Sequence, residues 1–274
     1  MSLDACAAAV ERGDPDRFRT ALLAPMPARG DLLALYAFNL EVVRAPWVTS
    51  EPMLAEIRLQ WWVDALDEIF AGKPPRAHEV VAPLADAIAR HDLPQREFSA
   101  LIAARRFDIG SDPQSSRAAF DAYIDGTAGA LMRLAARICD CPDDGLPVVT
   151  DLAYAGGVAA LWQAVPALLA SGRDPVPTGW VTDHAALARG EVSEPMADAI
   201  RDITSDAAAA LQRAREARAR LPRSVAPALL TAVQAGPVLA QAATDPAAVV
   251  QGDLGRRELA RRWSALWRGM TGRW

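Results

Sequence analysis

The stretch YAFNLEVVRAPWVTSEPMLAEIRLQWWVDALDEIF, Tyr36 to Phe70, decides how this chain is read. Its second half carries Leu54, Ile57, Trp61, Ala65 and Ile69 at steps of three and four, the spacing that lines one face of a helix. Ser50-Glu51-Pro52 supplies the start, with proline at the first helical position, where its missing N–H is no loss. Gly72 and Pro74-Pro75 supply the stop. The preceding helix, Asp31 to Val43, is apolar on most faces, as a helix inside a core should be.

The same period runs outward in both directions, and no alternating strand pattern competes with it. Asp14-Pro15 reads as an N-cap followed by a first-turn proline. Further helices are expected near 77–91, 95–109, 115–139, 147–170, 194–220, 225–242 and 254–270. Connections are short and carry Pro, Gly or Asp. No repeat stands out and no linker divides the chain. The expectation is one all-α domain over residues 1–274, its antiparallel helices packed around a common core.

Composition narrows the class. Of 274 residues 51% are apolar, enough for a large core. The net charge of -5 argues against a general nucleic-acid partner. Lys73 is the sole lysine; with the abundant alanine this reads as GC-rich bacterial coding bias. Three cysteines, Cys6, Cys139 and Cys141, give no even disulfide framework and suit a reducing compartment. Cys139-Asp140-Cys141 lacks a second Cys or His pair, so it reads as structural. The N-terminus has no apolar signal region. No run of ~20 apolar residues predicts a membrane span; Val225 to Ala243 comes nearest, interrupted by Gln234, Gly236, Pro237 and Gln241. The location these features suggest is cytoplasmic.

Several short matches recur in order. They are Tyr36-Ala37-Phe38; Arg58-Leu59-Gln60-Trp61-Trp62 with Leu66; and Leu84-Ala85-Asp86-Ala87-Ile88 followed by Leu93-Pro94 and Phe98. Then come Phe107-Asp108, and Tyr123 with Thr127-Ala128-Gly129 and Met132. In these the chain resembles the squalene and phytoene synthases, the head-to-head prenyl synthases of isoprenoid synthase fold, over roughly residues 15 to 190. The resemblance implies helices around a deep central cavity open at one end. It places Tyr36, Asn39, Arg58, Trp61, Tyr123 and Gln163 as candidates to line it.

The departures matter as much as the matches. The family follows its YAF helix with paired aspartates in a DxxxD pattern. Here those positions read Val43-Arg44, with Trp47 near where the last aspartate belongs. A second acidic cluster should fall in GGVAALWQAVPALLASGRDPVP, Gly156 to Pro177. Leu168 stands for the first aspartate, Ser171-Gly172 for the acidic pair, and Asp174 lies past the helix end. The family uses these clusters to hold Mg²⁺, a hard cation that needs oxygen ligands and stabilises the leaving diphosphate. Val43 removes a ligand, and Arg44 adds a fixed positive charge. No catalytic residue, metal or cofactor is therefore expected. A branch of the family without the acidic motifs shares YAFN plus an acidic residue, as in Tyr36 to Glu41, and includes a mitochondrial factor for complex I assembly. That likeness implies a non-catalytic role in assembling a respiratory, complex I-like membrane complex, with a subunit or assembly partner. Two alternatives stay open: a prenyl transferase, which alone would need Mg²⁺, and a module binding an isoprenoid or other lipid.

Individual residues carry competing readings. Trp61 and Trp62 point about 100° apart on a helix, toward a prenyl cavity or into the core. Arg58 meets a diphosphate or pairs with Asp64 or Glu51. Asn39 and Gln163 contact a ligand or satisfy a neighbouring helix. His78, His91 and His184 form no set and are expected in solvent. Asp64, Asp67 and Glu68 bind a cation or form a solvated face. In DLGRRELARRWSALWRGMTGRW, residues 253–274, Arg261, Arg262, Trp263 and Trp267 belong to a basic amphipathic helix. Such a helix suits peripheral contact with an anionic inner membrane or a membrane-bound partner, or docks on the core.

Overall fold

From Gly30 to Leu40 every residue of helix α3 (Ala28–Arg44) is buried, in this chain's computed structural model. The structure describes residues 3–49, 51–110, 114–173, 177, 186, 187 and 189–255. Among them every regular element is helical and there is no strand, so the all-α architecture read from the sequence holds. The chain divides into two compact units. The first comprises Met1–Gly110, Ala130–Leu146 and Leu221–Thr231; the second comprises Ser111–Gly129, Pro147–Arg220 and Ala232–Trp274. Each is assembled from three stretches, so no single linker separates them.

In the first unit α3 is covered by α1 (Leu3–Gly13), α2 (Pro15–Ala21), α5 (Val81–His91) and α8 (Ala130–Ile138). Helix α4 (Pro52–Phe70) packs on α6 (Gln95–Phe107), which in turn packs on α8. The start signals act as the sequence predicts. The Asp14 carboxylate accepts the Arg17 N–H at 3.0 Å, and Pro52 opens α4. Gly72 takes φ +71°, a left-handed turn that a residue without Cβ enters freely.

A helix buried all round must satisfy its polar groups internally. Asp31 is 4% exposed and accepts from Arg90 Nη1 and from His91 Nε2 at 2.8 Å, both on the last turn of α5. His91 is therefore not the solvated histidine expected. It sits at the α5 terminus that faces the start of α3. Glu97, also buried, receives Arg133 at 2.8 Å and ties α6 to α8.

In the second unit α7 (Arg117–Ile124) is capped by Ser116, whose Oγ accepts the Ala119 N–H at 3.1 Å. It runs into a π turn, Asp125–Gly129. Helix α9 (Leu146–Ala170, from Pro147 within this unit) is apolar on all sides. Its Trp162 is fully buried and donates Nε1–H to Thr204 Oγ1 of α10 (Glu194–Glu216) at 3.0 Å.

The helix expected over 225–242 is broken. A short α11 (Ala226–Leu229) is followed by a 3₁₀ turn, Leu230–Ala232, and then by α12 (Ala235–Thr244). Pro237 lacks the N–H that a continuous helix would need there, whereas Pro227 lies in the first turn of α11. A short α13 (Ala247–Gln251) follows. The helix expected over 254–270 lies almost entirely outside the described residues. Contrary to expectation, two segments are long and apolar enough to cross a membrane: Asp143–Ala170, mean hydropathy 1.5, and Arg223–Thr244, mean hydropathy 1.3. Their apolar windows are 44% and 56% buried within the protein. Core helices meet the same test, because mean hydropathy tolerates the isolated polar residues and prolines that interrupt an apolar run.

The closeness of α9 to α7 rests on Gly157. A Cβ there would lie 2.7 Å from Ala128 Cβ and 2.8 Å from Ile124 Cγ2. Overpacking of this kind costs roughly 1–3 kcal/mol, against about 1 kcal/mol gained in helix propensity. Gly157→Ala is expected to lower the urea midpoint with an unchanged slope. A midpoint that rises would show that the two helices part without cost.

Candidate functional site

The cavity candidates fall in both units: Tyr36, Asn39, Arg58 and Trp61 in the first, Tyr123 and Gln163 in the second. Helix α3 carries Tyr36 and Asn39 inward, 1% and 6% exposed. The Tyr36 ring lies under the Arg17 guanidinium, 5.8 Å from ring centroid to Cζ, and Arg17 pairs with Asp14. The Tyr36 hydroxyl is buried with no hydrogen-bond partner. Burial pushes its ionisation well above the usual phenol range, with nearby Arg17 pulling the other way. Tyr36 thus sits beneath a side chain of its own fold.

Helix α4 separates Arg58 from Trp61. Arg58 is exposed and, among the described residues, makes neither an ion pair nor a hydrogen bond. Neither partner proposed for it from sequence is taken, since Asp64 accepts from Gln60 at 2.8 Å. Trp61 is half-buried in an aromatic group. Its ring stands 5.0 Å from Trp62 and 5.2 Å from His78, with Arg76 5.4 Å above it. Trp62 is the buried member and meets Phe38 edge-on at 5.1 Å. His78 is part of this packing rather than solvated: its ring stands 5.2 Å from Trp62 and its Nδ1 accepts the Val80 N–H at 3.2 Å.

In the second unit Tyr123 is half-buried, and its carbonyl accepts the Thr127 hydroxyl at 2.7 Å. Gln163 is exposed, and its Nε2 donates to the Leu254 carbonyl at 3.5 Å. It serves the connection after α13, 91 positions away, for which no local signal exists. Arg261, Arg262, Trp263 and Trp267 lie outside the described residues.

The positions where the family resemblance requires magnesium ligands do not fit the metal. Val43 is half-buried and apolar, and Arg44 is exposed. The Arg44 guanidinium lies over the last residue of α1, where a Cβ on Gly13 would come 2.7 Å from Nη2. Leu168 offers no oxygen side chain, and the Ser171 hydroxyl donates to the Leu168 carbonyl at 2.7 Å. Among the described residues no group of three His, Cys, Asp or Glu is arranged to hold a metal ion. The acidic face of α4 is spent on other side chains: Asp67 accepts from Gln95 at 2.8 Å, and Glu68 from Arg76 at 2.7 Å.

Sequence reasoning missed a polar depression of about 380 Å³ in the second unit. Arg117 donates to Asp121 at 3.0 Å, to Tyr154 Oη at 3.0 Å and to Asp206 at 2.6 Å, while Arg213 meets Asp151 at 2.6 Å. Burial opposes the Arg117 charge, but its hydrogen bonds to Asp121 and Asp206 outweigh it and hold the guanidinium above its usual range. Only the Arg117–Asp121 pair, four apart on one helix, carried a local signal.

Comparison with known proteins then fixes the relationship. The sequence model of the squalene/phytoene synthase family matches residues 10–264. The rat protein named NADH dehydrogenase (ubiquinone) complex I, assembly factor 6 is 25% identical over 234 residues, 83% of this chain and 70% of that one. Its homolog from Drosophila melanogaster is 25% identical over 242 residues, 83% and 71%. The squalene synthase HpnC from Alicyclobacillus acidocaldarius superposes with a TM-score of 0.77 at 20% identity, covering 92% of this chain and 94% of that one. That last likeness speaks to fold alone.

The three thiols are free and buried. Desolvation pushes Cys6 and Cys141 up to about 11 and Cys139 up to about 12, from an ordinary 9.0. A group whose folded value is raised stabilises the fold below its unfolded value and loses that contribution as pH climbs toward the folded one. Stability is therefore expected to fall between about pH 9 and about pH 11, read by denaturant titration. A thiol reagent at about pH 8 should label none of the three until the chain unfolds. A flat alkaline profile, or rapid native labelling, would contradict the burial.

Proposed function

This chain belongs to the squalene/phytoene synthase family, and we propose that it is a member without catalysis, one that assists assembly of a respiratory membrane complex of the complex I type. One observation carries the proposal. Arg44, standing where the family resemblance requires a magnesium carboxylate, lies against Gly13 at the end of α1, and Val43 beside it has no ligand atom. Without a Lewis acid at that place a departing diphosphate has no charge stabilisation from it. The relatives named as complex I assembly factors support the rest of the reading. Their names speak of assembly rather than of a prenyl substrate.

On this reading the protein works by surface contact with a subunit or with another assembly partner. We place it on the cytoplasmic side of the inner membrane, attached peripherally through residues 253–274. Removal of the chain after Gly252 should then reduce its sedimentation with anionic vesicles, and equal sedimentation by both forms would remove the attachment.

The catalytic question has a direct measurement. Purified protein incubated with farnesyl or geranylgeranyl diphosphate is expected to release no diphosphate above a protein-free control, with or without Mg²⁺. Magnesium-dependent release would return the chain to the prenyl transferases. Binding without release, independent of metal, would make it an isoprenoid-binding module. For the assembly role, deletion of the gene should lower the amount of assembled NADH-oxidising complex in the membrane. An unchanged amount would sink that half of the proposal.

A further inference from the structure

The first turns of α4 turn an apolar face to solvent. Met53 is 75% exposed, Ile57 57% and Leu54 45%, and the turn before the helix adds Val48 at 52% and Trp47 at 44%. Isolated exposed apolar residues are ordinary. A run of them on one helix face marks an interaction surface, and Met53, Leu54 and Ile57 share such a face by spacing.

The charges beside that face identify what covers it. Glu51, at the N-cap of α4, and Arg58, two turns on, stand along the same edge of the helix. Both are exposed, and neither side chain makes an ion pair or hydrogen bond among the described residues. Neighbouring charges behave otherwise: Glu56 pairs with Arg106 at 2.8 Å, and Gln60 bonds both Asp64 and Arg106. An edge with one unpaired acid and one unpaired base, seven residues apart, is neutral overall and complementary to itself.

We propose that this face joins two copies of the chain about a two-fold axis, with the first turns of α4 running antiparallel across it. In antiparallel helices related by a two-fold axis, like edges meet. A crossing centred between Leu54 and Ala55 brings Glu51 of each copy opposite Arg58 of the other. The symmetry forms the ion pair twice, flanking the apolar contact. A bilayer surface fits less well, because anionic lipid calls for a basic rim and Glu51 interrupts this one. A stable dimer buries about 800 Å² per partner, so the Trp47–Val48 turn must join α4 in the contact.

The test is sedimentation velocity of the full chain over a wide concentration range. Wild type is expected to pass from monomer to dimer. Ile57→Asp should weaken association at least tenfold. Glu51→Arg and Arg58→Glu should each weaken it comparably, since each sets like charges against one another. The double variant E51R/R58E should restore association to within a few-fold of wild type. All four substituted forms change exposed residues only, and circular dichroism should show unaltered helix content. A wild type that stays monomeric, an Ile57→Asp variant that associates normally, or a double variant no better than the singles would overturn the proposal. So would monomers that sediment with anionic vesicles and lose that binding in Ile57→Asp, which would assign the face to a membrane.

Discussion

The ion pair and hydrogen bond that Asp31 makes with Arg90 and His91 fix what the rest of the first unit can be. A helix buried on all sides gives its polar groups no access to water, and an unpaired carboxylate there would cost several kcal/mol. Helix α3 can be central only because the last turn of α5 delivers two donors to its first turn. Asn39 is enclosed as well, at 6% exposure. Tyr36 meets the same constraint differently: its hydroxyl is orphaned, and its ring is covered by Arg17. Gly30 to Leu40 are enclosed in this way, while Arg44 at the end of the helix is exposed.

At that end an arginine does more than delete a ligand. The C-terminus of a helix carries partial negative charge, and cations are stabilised there. The Arg44 guanidinium lies over the last residue of α1, close to where a Cβ on residue 13 would stand. The second departure follows similar lines. Ser171, where an acidic residue belongs in the family pattern, gives its hydroxyl to the Leu168 carbonyl near the end of α9. Both side chains lie at helix ends.

How much of this a sequence discloses depends on the range of the interaction. Helix α4 was legible because its apolar residues repeat within the element, and its start and stop are written in Pro52 and Gly72. The fold type and the absent acidic motifs followed from ordered local matches. The break between α11 and α12 was legible in principle, since Pro227, Gly236 and Pro237 sit in the stretch read as one helix. His91 and His78 were misread because the groups they meet, Asp31 and Trp62, lie 60 and 16 positions away. Arg58 and Gln163 carry no local sign of their exposure, and the Arg117 cluster draws Tyr154 and Asp206 from 37 and 89 positions away.

A site built to hold metal ions keeps carboxylates close together, and without the metal they repel one another and resist ionisation. Several buried and half-buried carboxylates here pair with arginines. Glu97 takes Arg133, Glu68 takes Arg76, Asp151 takes Arg213, and Asp121 takes Arg117. Each pairing is between side chains of the same chain. Exposed pairs of this sort contribute little to stability; around Arg117 and Arg213 the carboxylates of Asp121, Asp125, Asp151 and Asp206 still outnumber the arginines. On the proposed reading, selection acts on the outer faces of such a fold rather than on a metal site. The exposed apolar turns of α4, which no core contact explains, are where such selection would leave its mark.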